Sequence, residues 1–121
     1  MIRGIGLDIV ELSRIEKALN RSERFAIRIL TPRELAIFET LSKMRQIEFL
    51  AGRFAAKEAY AKANGTGLGE NCTLQQIEIL KADNGKPELF FNGEHVAGFV
   101  SITHTKTVAA AQVVLLVESS Q

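Results

Sequence analysis

The chain has 121 residues, 46% apolar and 24% charged, with a formal net charge of +1. That length suits one domain, residues 1–121, with a modest core, and so even a charge balance argues against wholesale nucleic-acid binding. No stretch approaches the ~20 apolar residues of a membrane span, the opening MIRGIGLD lacks the apolar run of a secretory signal, and the single cysteine, Cys72, has no partner in the chain, so a reducing cytoplasm is the expected setting.

Residues 2–10 read as a strand whose Gly4 and Gly6 allow another backbone or a ligand to come close. Leu12, Ile15 and Leu19 fall at helical spacing around 13–20, and a second short helix is expected over 25–30. Thr31-Pro32-Arg33-Glu34 combines a capping Thr, a Pro at the first helical position and a Glu three residues after the cap, starting a helix that runs to about Leu41. A long central helix follows over 45–65, with Ile47, Leu50, Ala51, Phe54, Ala61 and Gly65 on one side at about 100° per residue. Its other face carries the small residues Gly52, Ala56, Ala59 and Ala63, so the helix is expected to be buried nearly all round. Gly65-Thr66-Gly67-Leu68-Gly69 ends it.

Strands are expected over 76–82 and 88–91, joined by a turn at Asn84-Gly85. Asn92-Gly93 breaks the chain again before one helical turn, and 99–105 with 107–118 form a final hairpin around Lys106. A strand, then helices, then a meander predicts an α+β domain, a long central helix packed on a small, mainly antiparallel sheet. The last strand, VAAAQVVLLV, is apolar on both faces; the helices can cover one, and neighbouring subunits are expected to cover the other, ahead of the alternative of a fully buried middle strand in a monomer.

Glu58 lies in the middle of the apolar stripe of the central helix. A carboxylate there is costly unless it is paired, metal-bound or lining a wet cleft. Asp8, on the glycine-rich strand, is its natural partner, since Mg²⁺ takes one or two protein carboxylates and completes its octahedron with water and substrate phosphate. The residues equally allow Asp8 to cap a helix and Glu58 to pair with Lys62 one turn on. Arg45, Arg53, Lys57 and Lys62 share the helix with Glu58, and Lys62 is placed to meet an anion held by the same metal. The loop from Gly65 offers backbone amides to a phosphate, although it is no Walker loop. In Ser101-Ile102-Thr103-His104-Thr105 the polar residues alternate with Ile102 and His104 across a strand. No serine sits in an elbow motif, and His95, His104 and Cys72 lack zinc-ligand spacing. Arg14, Lys17, Arg21, Arg24 and Arg28, spaced 3, 4, 3 and 4, would form a single-sign row able to steer an acidic partner if the segment is one helix, with Asn20-Arg21-Ser22 as the place where it would break.

GIGLDIVEL at 4–12, FLAGRFAAKEAYAKANGTGLG at 49–69 and SITHT at 101–105 closely resemble the bacterial holo-(acyl carrier protein) synthases, the small trimeric class of 4′-phosphopantetheinyl transferase, and the resemblance spans nearly the whole chain. It implies Mg²⁺-dependent transfer of 4′-phosphopantetheine from coenzyme A to a serine of apo-acyl carrier protein, in fatty acid biosynthesis, with release of adenosine 3′,5′-bisphosphate. It implies a homotrimer with active sites between subunits. Carried over by position, Asp8 and Glu58 are the metal ligands, Lys62 stands near the phosphates, and Arg45, Arg53 and His104 contact coenzyme A, together with Gly65, the Asn84-Gly85-Lys86-Pro87 turn and Thr105. Arg14 meets the carrier protein, and the basic row extends that contact. Thr103 stands where many relatives have Ser, and Val108 where many have an aromatic residue. Three rival readings are a nucleotide hydrolase using the same carboxylates, a non-catalytic trimeric module that binds carrier proteins, and nucleic-acid binding through the basic row.

Overall fold

A 22-residue helix forms the spine of the molecule. The computed structural model describes residues 1–118. In chain order the elements are β1 (Ile2–Glu11), α1 (Leu12–Arg21), α2 (Arg24–Ile29), α3 (Pro32–Phe38), α4 (Lys43–Asn64), β2 (Ile77–Lys81), β3 (Pro87–Phe91), β4 (Glu94–His95), β5 (Gly98–His104) and β6 (Val108–Leu116). The local signals account for most of the boundaries. Thr31 and Glu34 form a reciprocal capping box ahead of α3. Ser42 caps α4, and Gly65 stops it in the left-handed region at φ +83°.

The strands form two antiparallel sheets rather than the single one expected, ordered β1-β6-β5 and β2-β3-β4. Asn92-Gly93 does not lead into a helical turn. Both residues have positive φ, +53° and +82°, which makes them the two-residue loop of a β3–β4 hairpin with Phe91 opposite Glu94.

Helix α4 crosses the first sheet, packing chiefly on β1 and β6. The approach to β1 is so close that a Cβ on Gly4 or Gly6 would lie 2.0 or 1.8 Å from the carbonyl oxygens of Ala63 or Ala59. Strand alternation then sets the rest. Gly4, Gly6, Asp8 and Val10 face the helix, while Ile5, Leu7 and Ile9 point away and stay more than half exposed. In β6, Ala109, Ala111, Val113 and Leu115 are buried against α4. The outer face of the sheet carries an apolar row, Ile5 beside Val114 beside Phe99, with Gln112 in the next row between Leu7 and Ser101.

Candidate active site

Two clefts open on different sides of α4. The first, about 440 Å³, is lined by Asp8, Arg14, Phe25, Phe54 and Glu58. Asp8 reaches it because its strand position shares parity with Gly4 and Gly6, the residues that press β1 onto the helix. Glu58 is half-buried opposite. Partial burial pushes the Glu58 carboxyl above the usual range, the negative charge of Asp8 adds to this, and Lys62 opposes it. The Lys62 ammonium hydrogen-bonds Asp8 Oδ1 at 3.1 Å and the Leu7 carbonyl at 3.0 Å. It therefore pairs with Asp8, not with Glu58 on its own helix, and Asp8 caps no helix, since α1 begins after Glu11.

Two carboxylates face one cleft; Lys62 pairs with Asp8, and Glu58 has no ion-pair partner among the described residues, which leaves its charge for a cation to offset. Among the described residues no group of three or more His, Cys, Asp or Glu side chains could hold a metal. The pair therefore suits an ion that keeps most of its water and takes substrate oxygens, which is the habit of Mg²⁺.

The second cleft, about 600 Å³, gathers Arg45, Arg53, Gly85, Pro87 and His104 against apolar walls that include Phe49 and Ile102. Arg53 is 7% exposed, and its guanidinium stacks over Phe49 at 4.2 Å. Its Nε is buried without a hydrogen-bond partner. Burial lowers the guanidinium's affinity for its proton, and the charge of Glu34 opposes that. His104 turns Nδ1 toward the Glu48 carboxylate at 3.7 Å. A half-greasy pocket with a buried, unpaired arginine fits a ligand that joins a flat apolar ring to an anion.

The remaining site expectations fare unevenly. The Gly65 loop, expected to offer its amides to a phosphate, has most of them bonded within the chain. The amides of Gly65, Thr66, Gly67 and Gly69 already bond the carbonyls of Lys62, Ala61, Ala61 and Cys72. Asn84 and Lys86 line neither cleft; Asn84 Oδ1 accepts from the Lys86 amide, and Lys86 lies over Phe99. Thr105 Oγ1 accepts from the amides of Thr107 and Val108 inside the β5–β6 turn. The basic row does not lie on one helix. Ser22, in extended conformation, separates Arg14, Lys17 and Arg21 on α1 from Arg24 and Arg28 on α2. All five are exposed, and none has an ion-pair partner among the described residues.

The sequence places Lys57 only among the cations that share the helix with Glu58, and its buried pairing goes unread. Its side chain is fully buried and bonds Glu34, also fully buried, at 2.6 Å. Burial pulls the Lys57 ammonium below its usual range, against the charge and hydrogen bond of Glu34. The same helical wheel that singled out Glu58 places Lys57 about 20° from Leu50, so its position was readable. The capping box explained Glu34 completely enough to hide its second partner.

Residues 4–116 match the family model of the 4′-phosphopantetheinyl transferase superfamily. A curated holo-[acyl-carrier-protein] synthase of Geobacillus sp. (strain WCH70) is 55% identical over 115 residues, which span 95% of this chain and 97% of that protein. The crystal structure of a holo-(acyl-carrier-protein) synthase from Bacillus anthracis str. Ames, in complex with CoA (3′,5′-ADP), matches with TM-score 0.84 and 50% identity, covering 95% of this chain and 96% of that one. The Helicobacter pylori holo-[acyl-carrier-protein] synthase in complex with coenzyme A matches at TM-score 0.81 and 30% identity, covering 93% and 99%.

Proposed function

The chain belongs to the 4′-phosphopantetheinyl transferase superfamily, and from that premise we propose that it moves 4′-phosphopantetheine from coenzyme A to a serine of an apo-acyl carrier protein, in the cytoplasm and in service of fatty acid biosynthesis. The observation that carries this reading is the meeting of Asp8 and Glu58 across β1 and α4, with Lys62 beside them. Asp8 and Glu58 would hold Mg²⁺, which when bound offsets charge developing on a diphosphate.

The chain's own residues supply the remainder. The carrier serine oxygen bonds to the β-phosphorus as the bond to adenosine 3′,5′-bisphosphate breaks, and the leaving phosphate keeps the electron pair. Lys62 is placed to offset that charge. The serine proton must go to a base, and Glu58, the carboxylate of the cleft that Lys62 does not hydrogen-bond, accepts it. Arg45, Arg53 and His104 bind the phosphates of the nucleotide half, between the Phe49 wall and the Gly85–Pro87 turn. Arg53 and Glu58, five residues apart, point about 140° from each other around α4. A ligand spanning both functions therefore lies where two protomers meet, and the bare outer face of the first sheet is the surface on which a homotrimer would close. Arg14, at the rim of the carboxylate cleft, meets the acidic carrier, with Lys17, Arg21, Arg24 and Arg28 behind it.

Mass spectrometry of a carrier protein incubated with coenzyme A, with and without Mg²⁺, tests the reading. The carrier gains one phosphopantetheine only when the metal is present, and Glu58→Ala lowers turnover by several orders of magnitude with the fold retained. Hydrolysis of coenzyme A with no gain of mass on the carrier would reject it.

A further inference from the structure

All three hydrogen-bonding directions of the Lys57 ammonium are taken. It donates to Glu34 Oε1 at 2.6 Å, to the Ile29 carbonyl at 2.6 Å and to the Leu74 carbonyl at 3.0 Å. Glu34 is equally committed. Oε1 also accepts from the Thr31 amide at 2.9 Å, and Oε2 accepts from the Ile79 amide at 2.8 Å. One turn earlier on the same helix lies Arg53, buried, with an unbonded Nε and no ion-pair partner among the described residues. Glu34 is the acid whose charge reaches it. Both buried cations feel the charge of Glu34, Lys57 that of Glu78 as well, and the hydrogen bonds give Glu34 to Lys57.

We propose that Lys57 is a positioning residue for anion binding: by holding Glu34 it keeps that carboxylate from closing on Arg53, and it leaves the Arg53 guanidinium free for a phosphate of coenzyme A. This rests on the coenzyme A reading above. An arginine–carboxylate pair is planar and bidentate when allowed to form, and a phosphate would have to break it. An arginine desolvated in advance and left unpaired gains more from the arriving anion. The arrangement also explains why a lysine is buried at a position that any apolar residue of similar length would fill.

Two readouts test this on the full chain with Lys57→Met, Glu34→Gln and the double variant. The first is calorimetric affinity for adenosine 3′,5′-bisphosphate. The second is the NMR signal of the Arg53 Nε–H, which needs no ligand. Lys57→Met weakens the bisphosphate by about tenfold or more and moves the Nε–H signal as Glu34 turns to it. Adding Glu34→Gln restores affinity to within about threefold and returns the signal, although the core now carries two changes. Glu34→Gln alone does not weaken the bisphosphate. If Lys57→Met does not fold, Lys57→Gln, which still donates to the two carbonyls, takes its place with the same expectations. Loss of affinity in Glu34→Gln equal to that in Lys57→Met, with no recovery in the double variant, would show a purely structural role and overturn the proposal. A motionless Nε–H signal beside full wild-type binding would overturn it and leave the coenzyme A reading intact. A moving signal in a protein whose wild type binds no bisphosphate would overturn the coenzyme A reading instead.

Discussion

Gly6→Ala adds one methyl group at the tightest point between β1 and α4. The new Cβ would lie 1.8 Å from the Ala59 carbonyl oxygen, where ordinary contact begins at 3.4 Å. The obstacle is helix backbone, which has no rotamer to change, so β1 and α4 must part locally by about 1.5 Å, a shift at the upper end of overpacking costs, ~3 kcal/mol. That is about a hundredfold in the folding equilibrium and a fall in melting temperature on the order of 10 °C. The displacement also reaches the site, because Asp8 is two residues along the same strand face. Binding of Mn²⁺ as a stand-in for Mg²⁺, followed by electron paramagnetic resonance, should weaken in the folded fraction of the variant. Urea denaturation gives the stability. Gly69→Ala is the control, since its Cβ would meet nothing within 4 Å, and it should change neither measurement. A Gly6→Ala protein within about 0.5 kcal/mol of wild type and with unchanged Mn²⁺ affinity would refute the claim that the glycines place Asp8.

Three further outcomes are expected. Burial pushes the Glu78 carboxyl up, but hydrogen bonds from Arg33 and Thr31, with the charges of Arg33 and Lys57, outweigh it and hold the group below its ordinary 4.5. Its contribution to stability is therefore complete above pH 4.5 and fades as acid titrates the folded state. The urea-midpoint gap between wild type and Glu78→Gln should be widest at neutral pH and shrink in acid; a gap that widens on acidification would contradict the sign. Leu7→Lys places a charge between Ile5 and Ile9 on the exposed face of β1, where burying the native leucine is worth about 1.5–3 kcal/mol for each subunit. Sedimentation velocity should show a smaller species with an unchanged circular dichroism spectrum, and an unaltered assembly would remove this face from the interface. Arg14→Gln should raise KM for the carrier protein by about three- to tenfold and leave coenzyme A affinity intact; equal losses in both would mark Arg14 as structural.

Periodicity and punctuation carried much of the architecture. The capping box at Thr31, the glycine stop at Gly65 and the two-sided apolar β6 are local features, and they lie where the pattern put them. The split into two sheets was not legible, because strand partners depend on contacts across the chain rather than on either strand alone. The same holds for the Asn92-Gly93 hairpin, whose second strand is only two residues long and leaves almost no alternation to detect. In the candidate site, Asp8 and Glu58 were visible because each is a carboxylate among apolar neighbours, one on a strand and one on a helix. Lys57 breaks the helix pattern too, but a lysine at the edge of an apolar stripe is ordinarily satisfied by extending its amine to water. Only the fold shows that here it reaches the carbonyls of Ile29 and Leu74 instead. The loop after α4 hides its contacts in a related way: glycine content suggests free amides, whereas those of Gly65, Thr66 and Gly67 bond carbonyls of the helix end and that of Gly69 bonds Cys72.

Strand β1 works on both sides at once, and odd and even positions divide the tasks. From Gly4 to Val10 the even-numbered residues hug the helix and deliver a carboxylate, while Ile5, Leu7 and Ile9 form the greasy exterior. Inserting or deleting a single residue between Gly6 and Asp8 would put them out of phase, so that either the acid turns outward or branched side chains enter a gap shaped for hydrogen atoms. The proposed metal site and the proposed interface would be lost together. The length of this short segment is thus constrained more tightly than its composition, and variation along it should take the form of swaps within each parity, never of indels.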